Sequence, residues 1–557
     1  MEKFTLDSKK SFVVISKAKE IDYTNDYVAL PKNYGSKTYY AREDIQTIQE
    51  MVFNNLTSLD NKIHFTNEIS NKKVIIKPNL VGVFNNIGFT PKVSAQSTDP
   101  RVIDSVIEFL KKYTDEIIIA EASGSGFPTR SSFKLSGISK IAKRYNIEVM
   151  PLEEQPVDRY YLPKAQAMKE LLIPRIFSEV VNGEAFYISF PKMKTNLYTD
   201  ITLGLKNGMG IIPLNLRQRN HNYNLEKKLV DLLFLINPHL TIIDGIVGSG
   251  GQCPASTIPI ESNFLVSGNN VVETDLIAAK LMGFDPATIS LLQHAKQMGF
   301  GNDQREVIGD QTPAPFVPAN PSLVNNKFQE RFPKIQALIG FDMENAPKIS
   351  DINAVNQETM EEMELVCRGG CLACTKLGLE ILIAEGVGDY EVTIIIGNGV
   401  KVNGKGPYYF DRTGKAFTKE DIAKIETPTL ATGDCTIELE DIVDYYAPGC
   451  LYYPGLVHTM LHKISDTKCV MMTRKNKFLL SFAWDTLRMR IARRRQIRKG
   501  NYVDIKQTDI DQPKEFDNLT EEQQKQDYIK WPMPPMTRKV KRQLLKEEWN
   551  SVMILFK

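Results

Sequence analysis

Five of the seven cysteines lie between residues 367 and 450, and their spacing is typical of soft metal ligands. Three fall in Cys-Arg-Gly-Gly-Cys-Leu-Ala-Cys, and two follow in the turn-like sequences Gly-Asp-Cys and Pro-Gly-Cys. A zinc ion or an iron–sulfur cluster needs about four thiolates around one point. The spacing predicts an iron–sulfur cluster, with zinc as the alternative, held by Cys367, Cys371, Cys374, Cys435 and Cys450. The competing interpretation is that these cysteines are small buried hydrophobic residues.

The histidines are few, and one of them lies near this cysteine region. His458 follows Cys450 closely and is a candidate further ligand. Four others have no cysteine or carboxylate companion in the sequence: His64, His221, His294 and His462. The sequence contains neither a serine nucleophile elbow nor a His-Glu-x-x-His motif, which disfavours peptide and ester hydrolysis by those routes.

Lysines, amides and glycines collect where predicted strands end, and they form the second candidate site. Ligands of open parallel sheets bind at the carboxyl ends of the strands. Ammonium groups and unobstructed backbone amides both suit negative oxygens, so we expect a small phosphorylated or carboxylated ligand. The candidate catalytic residues are Lys77, Glu121, Lys192, Lys194, Lys206, Asp244 and Asp275. The candidate ligand-binding residues are Asn79, Gly124, Gly126, Thr195, Asn207, Gly248 and Gly250.

Each of these residue types also has a structural interpretation. Glycines after strands are ordinary turn residues, and the chain has neither a Walker phosphate loop nor a complete dinucleotide fingerprint. Lysines in such loops can be solvated. Asp244 and Asp275 can cap helices or pin loops instead of acting as acid, base or metal ligand.

The elements that must position these residues alternate between short Val- and Ile-rich runs and helical periodicity. The runs predict strands at 12–15, 74–77, 117–121, 185–190, 240–244 and 263–267. Helices are predicted after the capping sequence Ser97-Thr-Asp-Pro100 and at 133–145, 225–235 and 272–282. This alternation predicts an α/β fold with a largely parallel, doubly wound sheet.

Composition changes divide the chain into four segments. Residues 1–310 form the predicted α/β domain, and 311–330 is a proline-rich linker that cannot continue a helix or an inner strand. Residues 331–470 form a smaller cysteine-bearing α/β domain with strands at 392–396 and near 429–432. Residues 471–557 are a basic, partly flexible helical tail.

Several motifs in a fixed order resemble the family named domain of unknown function 362. They are Lys77-Pro-Asn-Leu, Ser97-Thr-Asp-Pro100, Pro191-Lys-Met-Lys-Thr195, Leu203-Gly-Leu-Lys-Asn207, His239-Leu-Thr-Ile-Ile-Asp-Gly245 and Glu273-Thr-Asp275. The resemblance covers about residues 74–310. Members mostly lack an assigned activity and some carry ferredoxin-like modules, so the resemblance implies redox or metal chemistry. The chain departs from the family pattern at Asn196, where members often have histidine, and at Cys253.

Bulk properties limit the classes of partner. The net charge of +2 and the absence of aromatic residues interleaved with a basic patch predict no nucleic-acid binding. No apolar run is long enough to span a bilayer, and the start lacks a secretory signal, so we expect a cytoplasmic protein. The basic stretch 487–499 can lie on an acidic lipid surface or a protein partner, or simply form a solvated face.

These features lead to two hypotheses. The first is a metal- or iron–sulfur-binding enzyme or redox accessory protein with an anion-binding cleft at the strand ends. The alternative is a scaffold or binding protein whose cysteines are structural and whose basic tail docks a partner or membrane surface.

Overall fold

The fold is mixed α/β, as the sequence predicts. A computed structural model describes residues 10–18, 21, 27–82, 95–124, 127–302, 304–450, 454–469, 478–504 and 518–553. The strands of its largest sheet are β1 (Ser11–Lys17), β2 (Lys73–Pro78), β3 (Ile117–Glu121), β4 (Glu148–Pro151), β7 (Ala185–Phe190), β8 (Lys192–Asn196), β9 (Asp200–Thr202), β10 (Leu240–Gly251), β11 (Thr257–Ile260), β12 (Phe264–Gly268) and β13 (Arg305–Ile308). Their order in the sheet is β13-β1-β12-β10-β7-β2-β3-β4, with β8, β9 and β11 attached through β10.

The central strands are parallel and buried on both faces. Strands β10, β7, β2, β3 and β4 run parallel, whereas β12 is antiparallel to both β10 and β1. Successive side chains of β2 alternate between two apolar cores, with Ile75 in one and Val74 and Ile76 in the other. Such two-sided burial explains the continuous Val and Ile runs in the sequence.

Helices cover both faces of this sheet and also build the second unit. The helices before residue 300 are Lys37–Tyr40, Glu43–Ile63, Phe65–Ile69, Pro100–Leu110, Thr129–Ser136, Ile138–Tyr145, Arg175–Val181, Gly204–Asn207, Leu214–Asn220, Leu225–Asp231, Val271–Leu281 and Ser290–Gln297. The later helices are Asn326–Arg331, Gln357–Leu365, Ala373–Ala384, Lys419–Ile422, Pro454–Ile464, Leu479–Arg498, Glu521–Gln524 and Arg538–Met553.

Two local predictions are wrong. The helix predicted at 133–145 is two helices, because Gly137 adopts a φ of 90° between them. The strand predicted to end at Asp244 runs on to Gly251, because residues 248–251 pair with β11. The segment with Gly248 and Gly250 is therefore strand and not a glycine-rich loop.

A second sheet carries the cysteine region. Its strands are β14 (Ile335–Ile339), β15 (Val392–Ile396), β16 (Val400–Val402), β17 (Lys405–Phe410), β18 (Ala416–Phe417), β19 (Thr429–Thr432) and β20 (Tyr445–Ala447). Their order is β16-β17-β14-β15-β19-β20, with β18 beside β17, and β14, β15, β19 and β20 run parallel. The predicted strands at 392–396 and 429–432 have these same bounds.

The basic C-terminal segment packs on the first sheet domain. Strand β21 (Ile529–Trp531) extends a small sheet made by β5 (Val157–Tyr161) and β6 (Glu170–Pro174). Helix 479–498 buries Arg493 against Glu548, with 2.7 Å between Nη2 and Oε1. Its outer face carries the exposed side chains of Leu480, Trp484 and Ile491. The role of residues 487–499 in docking to a lipid surface or a protein partner stays a prediction.

No helix in the described ranges combines the length and apolar character needed to cross a bilayer.

A buried ionic network fixes the start of helix 100–110, and it yields a stability prediction. Arg101 donates to Asp99 at 2.7 Å and to Asp44 at 3.1 Å, and its side chain is fully buried. Arg101→Met leaves the buried carboxylate of Asp99 without its cation and leaves Asp44 with Arg42 alone, so we expect a loss of about 3–5 kcal/mol of stability, measured by urea unfolding. Lys111→Met is the control, because the carboxylate of its partner Asp115 is 89% exposed. Equal losses in both variants would contradict the prediction.

Candidate functional site

The carboxyl ends of β2 and β3 carry a buried ion pair. Lys77 Nζ lies 2.9 Å from Glu121 Oε1, and both side chains are almost completely buried. Glu121 also accepts hydrogen bonds from the backbone amides of Leu80 and Ala122. Burial lowers the pKa of Lys77 and raises the pKa of Glu121, and their mutual attraction opposes both shifts. A Cβ at Gly210 would lie 2.7 Å from Glu121 Oε1 and from Lys77 Nζ, so a glycine lets the backbone close over the pair.

Two asparagines join this pair to a second lysine. Asn207 accepts from Lys77 Nζ at 3.0 Å and from Asn79 Nδ2 at 3.3 Å. Lys194 Nζ donates to Asn79 Oδ1 at 2.8 Å and to the carbonyl of Gln96 at 2.9 Å. Burial lowers the pKa of Lys194 to about 8. Within the described residues, no carboxylate lies within ion-pair distance of this ammonium group.

Lys206 occupies a more open position beside the same strand, β8. Its Nζ donates to Asn196 Oδ1 at 2.5 Å and lies 4.8 Å from the centre of the Tyr198 ring. The side chain is partly buried, and desolvation lowers its pKa well below the ordinary value. In the part of the chain that the structure describes, Lys206 also lacks an ion-paired carboxylate. Lys206 and Lys194 are therefore two desolvated amino groups that form no close ion pair, although the carboxylates of Glu226 and Asp200 lie near enough to Lys206 to oppose the fall in its pKa.

The other charged candidates have structural partners. Lys192 Nζ lies 2.8 Å from Asp244 Oδ2, which also accepts from the Asp99 amide at 2.7 Å. Asp275 accepts from the backbone amides of Gly204 and Leu205, each at 2.8 Å. The structure therefore places Glu121, Asp244 and Asp275 in separate contacts and does not bring them together as one acidic group.

The candidate glycines and Thr195 lie in tightly packed backbone. Thr195 donates its hydroxyl to the carbonyl of Gly251 at 2.8 Å. A Cβ at Gly248 would lie 2.3 Å from the Phe316 ring, and one at Gly250 would lie 3.1 Å from the amide nitrogen of Val317. A Cβ at Gly124 would meet the carbonyl of Val81 at 2.6 Å. Gly126 lies outside the described residues.

Four of the five candidate cysteines approach one another from three segments. Cys371 hydrogen-bonds with both Cys367 and Cys435. These contacts lower the pKa of Cys367 to about 7 and lower that of Cys435, and they raise the pKa of Cys371. Cys450 faces this group, and its Sγ accepts from Asn222 at 3.3 Å. Cys374 instead hydrogen-bonds with Tyr198.

Tyr198 and His221 fill the space between the cysteines and the lysines. Their rings meet edge to face with centroids 4.4 Å apart. His221 Nδ1 lies 2.9 Å from the carbonyl of Gly369 in the cysteine loop, and the Tyr198 ring lies under Lys206. Burial and nearby cations lower the pKa of His221 to about 3, so the ring is neutral at pH 7. The two candidate sites are consequently neighbours joined by aromatic side chains.

The sequence analysis missed two residues that line this region. Arg217 is buried and donates to the carbonyls of Ala122 at 3.0 Å and Ser123 at 2.7 Å, directly after the Lys77–Glu121 pair. Asn222 reaches Cys450. Both follow Pro213 in a polar helical stretch that resembles any exposed surface, so no local signal distinguishes them.

The segment that carries the candidate lysines is similar to known proteins. Residues 74–280 match the family model described as Domain of unknown function (DUF362), which confirms the resemblance over that segment. The matched segment contains all seven candidate catalytic residues, whereas the five candidate cysteines follow it in the chain. A thylakoid-associated protein of Synechocystis sp. is 23% identical over 241 residues, covering 42% of this chain and 70% of that protein.

The buried carboxyl of Asp275 predicts a pH dependence of stability. Burial raises its pKa to about 7 from the ordinary 3.8, so the folded protein holds a proton that the unfolded chain releases. This contribution is complete below about pH 4 and is lost as the pH rises to about 7, on the order of 4 kcal/mol in total. We expect the stability of the wild type minus that of Asp275→Asn to fall over this range in urea unfolding. Asp115→Asn is the exposed control, and a pH-independent difference for Asp275→Asn would contradict the assignment.

Proposed function

We propose that the protein is an iron–sulfur redox protein that binds a small anionic ligand beside its cluster. The observation that carries the proposal is the adjacency of the cysteine group to Lys194 and Lys206. The Tyr198 ring lies under Lys206, and His221, which packs against Tyr198, contacts the backbone carbonyl of Gly369 in the cysteine loop.

The cysteine group suits a cluster in its chemistry. Its members are soft sulfur ligands, and about four of them are what a cluster requires. A Cβ at Gly433 would lie 2.9 Å from Cys371 Sγ and 3.3 Å from Cys435 Sγ, so glycine leaves room around the sulfurs. Cys367, Cys371, Cys435 and Cys450 would hold the group, which supplies one-electron transfer. Lys228, whose ammonium group interacts with Cys367 and Cys450, would offset part of the negative charge.

The lysines suit an anion because neither Lys194 nor Lys206 forms a close ion pair with a carboxylate of the described residues. Desolvation lowers the pKa of Lys194 to about 8. An anion within reach of Lys194 and Lys206 favours their charged forms and replaces the hydration that burial removed. Lys192 and Lys77 already have carboxylate partners, so they hold the framework in place.

The cluster is tested by metal analysis of protein purified without oxygen from cells supplied with iron and zinc. We expect bound iron and sulfide with visible absorption, and loss of most of both in Cys371→Ser, because one ligand in about four is removed. Cys253→Ser is the matched control, since that buried thiol contacts Ser249 and Thr195 instead.

A colourless wild-type protein without iron and sulfide would overturn the cluster. If zinc instead depends on Cys371, the cysteines are structural, and the scaffold function with a docking helix becomes the better proposal.

The anion site is tested with inorganic phosphate by titration calorimetry. We expect Lys194→Met and Lys206→Met each to weaken binding by about 10- to 100-fold, the effect of one charge-assisted hydrogen bond. Binding should also weaken between about pH 7 and pH 9, as Lys194 loses its proton. Lys227→Met is the control, because that lysine is exposed. Unchanged affinity in both site variants would contradict the proposal.

A further inference from the structure

A second group of metal-ligating side chains lies away from both sites, on helix 454–464. His458 and His462 are four residues apart, so they share one face of the helix. Both rings are buried, and they meet edge to face with centroids 4.6 Å apart. Their Nε2 atoms lie 3.1 Å from each other.

A buried carboxylate meets both ring nitrogens. Glu385 directly follows helix 373–384, and its side chain is fully buried. Its Oε2 lies 2.6 Å from His462 Nε2 and 3.1 Å from His458 Nε2. Three electron-pair donors thus lie within about one hydrogen-bond length of one another. A proton can join two of these atoms, whereas a metal ion can bind all three.

Close helix packing produces this arrangement. A Cβ at Gly378 would lie 3.2 Å from Val457 and 3.3 Å from Leu461, so the glycine lets helices 373–384 and 454–464 approach closely. The contact brings the end of the first helix, and with it Glu385, under the two histidines.

A thiol completes the set. Cys469 follows the helix by a short connection, and its Sγ lies 3.8 Å from His458 Nδ1. One ligand atom from each of the four residues lies within 4.8 Å of every other. His462 Nδ1 is 2.7 Å from the Thr467 hydroxyl, a contact that orients the ring as outer partners of metal-bound histidines do.

We propose that Glu385, His458, His462 and Cys469 form a zinc site that fastens the end of helix 454–464 to helix 373–384. Two imidazoles, a thiolate and a carboxylate are all zinc ligands, and four protein ligands are typical of a structural site. Zn²⁺ with one thiolate and one carboxylate has no net charge, so burial of the complex costs little. The site is independent of the proposed cysteine cluster, because Cys371 and Glu385 flank opposite ends of helix 373–384, which is about 18 Å long.

The test is the zinc content of the purified full-length chain after dialysis, measured in the wild type and in single variants. We expect one zinc per chain to remain in the wild type and in Cys371→Ser, and to be lost in His462→Gln and in Cys469→Ser. His64→Gln is the matched control, because His64 is exposed and lies at the end of helix 43–63. If zinc disappears in Cys371→Ser and persists in His462→Gln, it belongs to the cysteine group and the proposal fails.

Cobalt substitution separates loss of a ligand from loss of fold. Reconstitution of the chelated protein with Co²⁺ should give thiolate-to-cobalt absorption in the Cys371→Ser background, and Cys469→Ser in that background should abolish it. Zinc should raise the melting temperature of the chelated wild type and not that of His462→Gln. Wild-type protein that takes up neither zinc nor cobalt, or takes up both equally well after His462→Gln, would overturn the site.

Discussion

Buried positive charge at the carboxyl ends of the parallel strands is the constraint on which the rest of this structure depends. An ammonium group removed from water costs several kcal/mol unless oxygens surround it. Lys77 and Lys192 meet this requirement with carboxylates, and Lys194 meets it with an amide and a backbone carbonyl. The main role of the polar groups around these lysines is therefore to stabilise the buried ammonium groups. A ligand anion would use the part of that charge that the protein leaves uncompensated.

The hairpin of β8 and β9 couples this charge to the cysteine domain. Arg368, in the cysteine loop, donates to Asp200 at 3.0 Å and to the carbonyl of Leu197 at 3.4 Å. The same hairpin region carries Lys194 and Asn196 on β8. Because one short stretch of chain contacts both regions, the position of the cysteine loop and the position of the lysines cannot be set independently. This contact supports the proposal that the two candidate sites act together.

The sequence predicts the strands of the first sheet well, because burial on both faces leaves a recognisable apolar run in the sequence of each strand. Strands 117–121 and 185–190 are buried on both faces, which requires uninterrupted apolar runs that are readable without partners. The sequence could not predict that β10 extends to Gly251. The glycines of this segment resemble a loop, and they form a strand because they pair with β11. For the same reason the roles of Lys192 and Lys194 could not be separated. They differ only in whether a distant carboxylate, Asp244, lies opposite.

The group of Glu385, His458, His462 and Cys469 shows most clearly which contacts the sequence alone cannot predict. His462 looked isolated because its carboxylate partner lies 77 residues earlier in the chain. Helix 373–384 brings the partners together: it is buried over almost its whole surface, with Cys371 just before its start and Glu385 just after its end. A helix packed on all sides moves as a rigid unit, since its neighbours leave no room for one end to shift alone. Metal coordination at Glu385 would therefore also restrict the other end of helix 373–384. In this way the proposed zinc site would help to keep the cysteines of the proposed redox site in position.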